Sequence, residues 1–155
     1  MLRNKTQMQL FGKSPFRWPP AWTHRVDGVL WQLKLSPAGR ILAEVRHPER
    51  KTARYTCLDE RSGAVLWQDL AFDEPWWIGV EDVLADRAYF HRYRKPDMPQ
   101  HAGIIAVDLA TGVTLWENRE YTFVLARDNE VVATRQGFDA LRSTCLLYTS
   151  PSPRD

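Results

Sequence analysis

One eleven-residue run occurs twice in the chain. Cys57-Leu58-Asp59-Glu60-Arg61-Ser62-Gly63-Ala64-Val65-Leu66-Trp67 aligns without a gap on Ala106-Val107-Asp108-Leu109-Ala110-Thr111-Gly112-Val113-Thr114-Leu115-Trp116. Asp59 and Asp108, Gly63 and Gly112, and Trp67 and Trp116 are each separated by 49 positions. A period near 50 residues with several short strand patterns inside it is the spacing of sheet-built repeats and excludes helical repeats of about 33 to 34 residues. Each copy reads as a strand ending in Asp, a turn with Ser or Thr before Gly, and a second strand carrying Trp. The Asp side chain can bond the turn backbone, and Gly tolerates positive φ.

Between these anchors the alternation of apolar and polar residues marks a series of hairpins. Gly28 to Leu35 turns at Ser36-Pro37-Ala38-Gly39 into Arg40 to Arg46, and Thr52 to Leu58 with Ala64 to Leu70 completes a first four-stranded unit. Trp76 to Leu84, Ala88 to Tyr93, Gly103 to Leu109 and Val113 to Arg119 make a second, with turns at residues 85–87 and 110–112. Thr122 to Ala126 and Glu130 to Arg135 open a third. The expected fold is therefore all-β, a partial β-propeller of about two and a half four-stranded antiparallel blades, which is too few to close a ring of about four to eight. The expected organisation is an N-terminal arm over 1–22, the repeat fragment over 23–143 and a tail over 144–155.

The run Ala106-x-Asp108-x-x-Thr111-Gly112-x-x-x-Trp116 resembles the tryptophan-docking repeat of the quinoprotein-like β-propellers. The earlier copy departs from it by Cys57 for Ala and Ser62 for Thr. The resemblance implies that Trp67 and Trp116 pack between adjacent blades, with Asp59, Gly63, Asp108, Thr111 and Gly112 shaping the turns. Trp76-Trp77-Ile78-Gly79 and His101-Ala102-Gly103-Ile104 bring the chain nearest to an uncharacterised bacterial propeller family. That repeat is shared by quinone-dependent dehydrogenases and by envelope assembly propellers, so it speaks for a fold rather than a reaction. The terminal Cys145-Leu146-Leu147-Tyr148-Thr149-Ser150-Pro151-Ser152-Pro153-Arg154-Asp155 resembles translated sequencing-adapter DNA, and the tail is expected to be such an artefact or a disordered end. On this reading the chain is truncated.

Composition narrows the function classes. Lys and Arg number 21 against 19 Asp and Glu, a net charge of +2 with the signs interspersed, which gives no basic block for nucleic acid. No apolar run approaches the roughly 20 residues of a membrane helix, and Arg3, Lys5, Lys13 and Arg17 interrupt the N-terminus where a signal core would lie. A cytoplasmic location is expected. Two cysteines, Cys57 and Cys145, build neither a disulfide framework nor a zinc spacing.

The stretch His91-Arg92-Tyr93-Arg94-Lys95-Pro96-Asp97-Met98-Pro99-Gln100-His101 is the most unusual in chemistry. As a loop it can bind an anion, or set His91, Asp97 and His101 around a metal, but its spacing fits no metal motif and its prolines and charges equally suit a solvated connection. Arg87, Arg92, Arg94 and Lys95 can gather into an anion-attracting surface. Trp77 can anchor a ligand or pack in the core, as can Trp76. Trp31, Trp67 and Trp116 read as structural, while Trp18 and Trp22, beside Pro19-Pro20, either close over the first unit or form an exposed arm. Glu81-Asp82 and Asp59-Glu60 are neighbours that face opposite sides of a strand and read as solvated charges. No nucleophile elbow, phosphate loop or metalloprotease motif is present, so no catalytic residue, metal or cofactor is assigned.

The function expected from the sequence is a non-catalytic binding or assembly scaffold that meets a protein or small ligand through His91, Tyr93, Arg94, Asp97, His101 and Trp77. The fragment is also expected to self-associate through an open blade edge. The family resemblance allows two other classes, a quinone-dependent dehydrogenase-like enzyme with quinone and calcium, and an envelope assembly propeller.

Overall fold

The computed structural model describes residues 19–84, 86–96, 98–127, 130–136 and 142–148 of the chain. Trp18, Asp97, most of the N-terminal arm and residues 149–155 of the tail lie outside the described residues. All regular structure among the described residues is β: β1 (Val29–Ser36), β2 (Arg40–His47), β3 (Thr52–Asp59), β4 (Val65–Leu70), β5 (Ile78–Val83), β6 (Arg87–Tyr93), β7 (His101–Asp108), β8 (Thr114–Asn118), β9 (Tyr121–Arg127), β10 (Glu130–Gln136) and β11 (Arg142–Tyr148). The all-β class read from the sequence holds. Among the described residues, no helix is long and apolar enough to cross a membrane.

Two sheets form, and neither closes on itself among the described residues. The first is a four-stranded antiparallel meander, β1-β2-β3-β4. Its opening hairpin turns where Gly39, at φ 73°, donates its N–H to the Ser36 carbonyl at 3.0 Å. In the second sheet β5-β6-β7-β8 repeats that meander, and β9-β10-β11 continues it through a single parallel bridge, Gly103 to Thr122. Residues 142–148, most of which belong to the segment set apart as a tail, pair with β10 as its outer antiparallel neighbour.

Two apolar cores hold these layers together. Leu42, Ala53, Tyr55 and Cys57 of the first sheet pack on Ile78, Val80, Phe90, Ile105 and Val107 of the second. Phe90 meets Tyr55 edge-on at 4.8 Å between ring centroids. Each fully buried Leu, Ile, Val or Phe among them contributes roughly 1.5–3 kcal/mol. On the opposite face of the second sheet, Tyr89, Ile104 and Ala106 pack on Val131 and Ala133 of β10. Strand β7 is thus covered on both sides, which is why Gly103 to Val107 reads as a continuous apolar run instead of an alternating one.

The two sequence repeats become two nearly identical turns. Asp59 Oδ1 accepts from the Ser62 N–H and hydroxyl at 2.8 and 2.7 Å, and Asp108 Oδ1 accepts from the Thr111 N–H and hydroxyl at 2.8 and 2.9 Å. Gly63 and Gly112 have φ of 70° and 74°, the left-handed region that favours glycine. The indole of Trp67 lies over Gly112 and donates through Nε1 to the Leu109 carbonyl at 2.9 Å. Trp22 does the same one repeat earlier, over Gly63 and to the Glu60 carbonyl at 2.8 Å. Trp22 therefore closes over the first unit, the first of its two sequence readings. Trp116 is half-buried and packs against the second core.

Trp31 departs from its structural reading. It is 66% exposed and is the extra residue where the pairing of β1 with β2 shifts between Leu30 and Gln32. Its ring meets the Arg46 guanidinium at 5.3 Å.

Candidate functional site

The unusual chemistry of residues 91–101 is divided between two strands, with His91 in β6 and His101 in β7. Two register shifts bring these rings together. Between β5 and β6 the pairing passes from Val80–Phe90 to Asp82–Tyr89, which leaves Glu81 as the extra residue of β5. Between β6 and β7 it passes from Phe90–Ile105 to Arg92–Ala102, where Gly103 takes φ 76°. Bulges of this kind bend a strand and re-aim its side chains. Across from His91 stands Gly79, and a Cβ there would come within 2.9 Å of the imidazole Cε1, so the missing side chain is what admits the ring.

The imidazoles of His91 and His101 stack with centroids 3.5 Å apart and planes within 7°. Glu81 Oε1 lies 2.7 Å from His101 Nδ1 in a hydrogen bond and 3.2 Å from His91 Nδ1 without hydrogen-bond geometry. His91 is 4% exposed, and neither of its ring nitrogens has a hydrogen-bond partner. Burial alone would push the Glu81 carboxyl up, but the imidazoles beside it, His91 foremost, hold it below the usual carboxylate value. Tyr93 presents its ring edge-on to His91 and His101 at 5.0 and 5.4 Å, and Trp77 meets Tyr93 at 5.9 Å.

A second buried polar group braces the site from the first sheet. Arg46 Nε pairs with Glu44 Oε1 at 2.5 Å, while its other nitrogens donate to the carbonyls of Trp76 and Ile78 at 3.1 and 2.6 Å. Burial pushes the Glu44 carboxyl up despite the guanidinium beside it. The Trp76 ring lies under that guanidinium at 5.0 Å. Glu74 Oε1 accepts from the N–H groups of both Trp76 and Trp77 and fixes the approach to β5.

Of the residues singled out in the sequence, His91, Tyr93, His101 and Trp77 come together; Arg94 lies in the exposed loop, where its N–H donates to the Gln100 carbonyl at 2.9 Å. Asp97 falls outside the described residues. The expected gathering of cations is corrected. Arg87 is buried at the far end of β6, and Arg92 is bonded to Asp73 and Glu117, so neither offers a free positive charge to that surface. Glu81 is also corrected from a solvated charge to a carboxylate with 13% side-chain exposure. Its signal in the sequence was the acidic pair Glu81-Asp82 between Val80 and Val83, but alternation could not show that a bulge turns Glu81 toward the histidines. A cleft of about 360 Å³ lined by His24, Asp27, His47, Arg54 and Asp69 lies elsewhere, and none of its ionisable side chains is buried.

A family model described as a domain of unknown function, DUF4905, matches residues 36–116, just over half of the chain. The match covers both repeats and all three members of the Glu81, His91 and His101 cluster. Comparison with curated proteins gives no match.

Proposed function

The chain belongs to the DUF4905 family, and from that premise we propose that it is a non-catalytic binding and assembly scaffold built as part of a β-propeller. The observation that carries this reading is the matched seating of Trp22 and Trp67. Each indole lies over the glycine of a turn and donates to the carbonyl three residues before that glycine, at positions 49 apart. A linkage repeated in this way extends by adding units, as the tryptophan-docking repeat of the quinoprotein-like propellers implies. Two cores, one on each face of the second sheet, support the same stacking of units.

The contact surface in this reading is the end of the second unit formed by Trp77, Tyr93 and His101 with the adjoining loop of Arg94 and Lys95. These aromatic groups are half-buried on a sheet that fixes their positions, and half-buried aromatics with a polar rim are favoured where a protein or small ligand is recognised. The reading includes a cytoplasmic location, which the free, fully buried Cys57 supports.

The test replaces Trp77, Arg94, Lys95 and Met98 with alanine and compares capture of cross-linked partners with that of the unaltered protein, using near-ultraviolet circular dichroism to confirm the fold. Loss of capture from a folded variant is expected; undiminished capture overturns the assigned surface. Oxidation of alcohols or sugars with added quinone and calcium would overturn the non-catalytic reading.

A further inference from the structure

We propose that Glu81, His91 and His101 form a binding site for one divalent transition-metal ion, with Zn²⁺ as the best-suited occupant. This site goes beyond the scaffold reading and stands without it. The potential donor atoms of the three side chains all lie within 4.8 Å of one another. Two imidazole nitrogens and one carboxylate oxygen form a donor set for zinc and related borderline ions, whereas calcium and magnesium require oxygen-rich sites.

An independent observation points to an occupant. His91 is only 4% exposed, yet neither ring nitrogen makes a hydrogen bond: Nδ1 has only its 3.2 Å contact with Glu81 Oε1, and Nε2 has no hydrogen-bond partner. A buried polar atom left this way is destabilising, and coordination through a ring nitrogen would relieve part of that penalty. Gly79 and Tyr93 pack against the His91 ring from two sides, so its position is set by the fold.

The parallel stack specifies what must move. An imidazole binds a metal in the plane of its ring, and one ion cannot lie in the planes of two near-parallel rings stacked with centroids 3.5 Å apart. One ring must turn. His101 has 35% side-chain exposure against 5% for His91, so His101 has the room to swing while His91 and Glu81 remain in place. Three protein ligands leave a further coordination position, as in zinc sites that keep water or an exogenous ligand. The exposure of His101 puts that position on the solvent side.

The full chain, stripped by a chelator and returned to chelator-free buffer, is titrated with Zn²⁺ by calorimetry and with Co²⁺ by visible absorption. One ion per chain is expected, with nitrogen-dependent Co²⁺ bands. Affinity should fall at least about tenfold in both His101→Ala and Glu81→Gln and remain unchanged in His24→Ala and His47→Ala. In the unaltered protein, Zn²⁺ should shift the ring-nitrogen resonances of His91 and His101, assigned by through-bond correlation to their own backbones. This readout holds even if a variant fails to fold. Absence of saturable binding to the unaltered chain overturns the site, as does binding that leaves the ring nitrogens of His91 and His101 unshifted.

Discussion

The pair Glu44 and Arg46 places an opposite charge on each of two buried side chains. Both are buried, and the guanidinium divides its donors between the carboxylate and two carbonyls of the neighbouring segment, Trp76 and Ile78. Removing one partner of a buried pair strands the other, so Arg46→Met should destabilise the fold by about 3–5 kcal/mol, whereas Glu44→Leu combined with Arg46→Met should recover most of the loss. Burial already raises the Glu44 carboxyl above its unfolded value. Protonation of Glu44 therefore favours folding, and this contribution is fully present below the unfolded pKa and lost as pH rises through the folded one. Without the guanidinium the folded value rises further, so stability of Arg46→Met should fall more steeply than that of the unaltered protein above about pH 4. Urea unfolding across pH measures both effects; equal slopes would show that Arg46 does not control this carboxyl. The local sequence Leu42-Ala43-Glu44-Val45-Arg46 shows two charges in an apolar strand, but not the carbonyls that receive them.

At the scale of elements, the turns joining β3 to β4 and β7 to β8 combine a local and a long-range requirement. Gly112 and Gly39 have nearly the same φ, 74° and 73°, but a Cβ at Gly112 would come within 2.9 Å of the Trp67 ring, while at Gly39 the nearest atom is Glu60 Oε2 at 3.7 Å. Gly39→Ala should cost about 1–2 kcal/mol from backbone conformation alone. Gly112→Ala should cost about 1–3 kcal/mol more because it also displaces the indole. Denaturant midpoints of the two variants decide this, and equal losses would mean that docking of Trp67 contributes no strain at Gly112. The first ten strands were legible because alternation and turn residues are local properties. The bulge at Glu81 was not, because a register shift depends on which residue of β6 faces β5. That shift separates two adjacent acids: Glu81 joins the histidines, while Asp82 Oδ1 accepts from the Val83 N–H at 2.8 Å.

For the molecule as a whole, packing leaves apolar side chains exposed along the outer face of β1. Leu30, Leu33 and Leu35, which pair with Val45, Ala43 and Ile41, are exposed there together, and a contiguous apolar patch favours association. Sedimentation velocity should show concentration-dependent self-association, and Leu33→Thr with Leu35→Lys should shift the distribution toward monomer without lowering the thermal midpoint. A monomer unaffected by concentration would show that this face does not associate. The amino-acid sequence by itself determined the all-β class, the 49-residue repeat, its paired Asp and Gly turns and the importance of Trp67, since each follows from residue type and short-range spacing. Only the tertiary structure decided that Trp22 and Trp67 seat on successive turns, that β1 leaves its apolar face open, and that Glu81 meets His91 and His101. The physical reason is that a strand's pattern assigns each side chain to one of two faces, whereas what covers a face, and where a bulge exchanges the two, depends on the strands packed beside it.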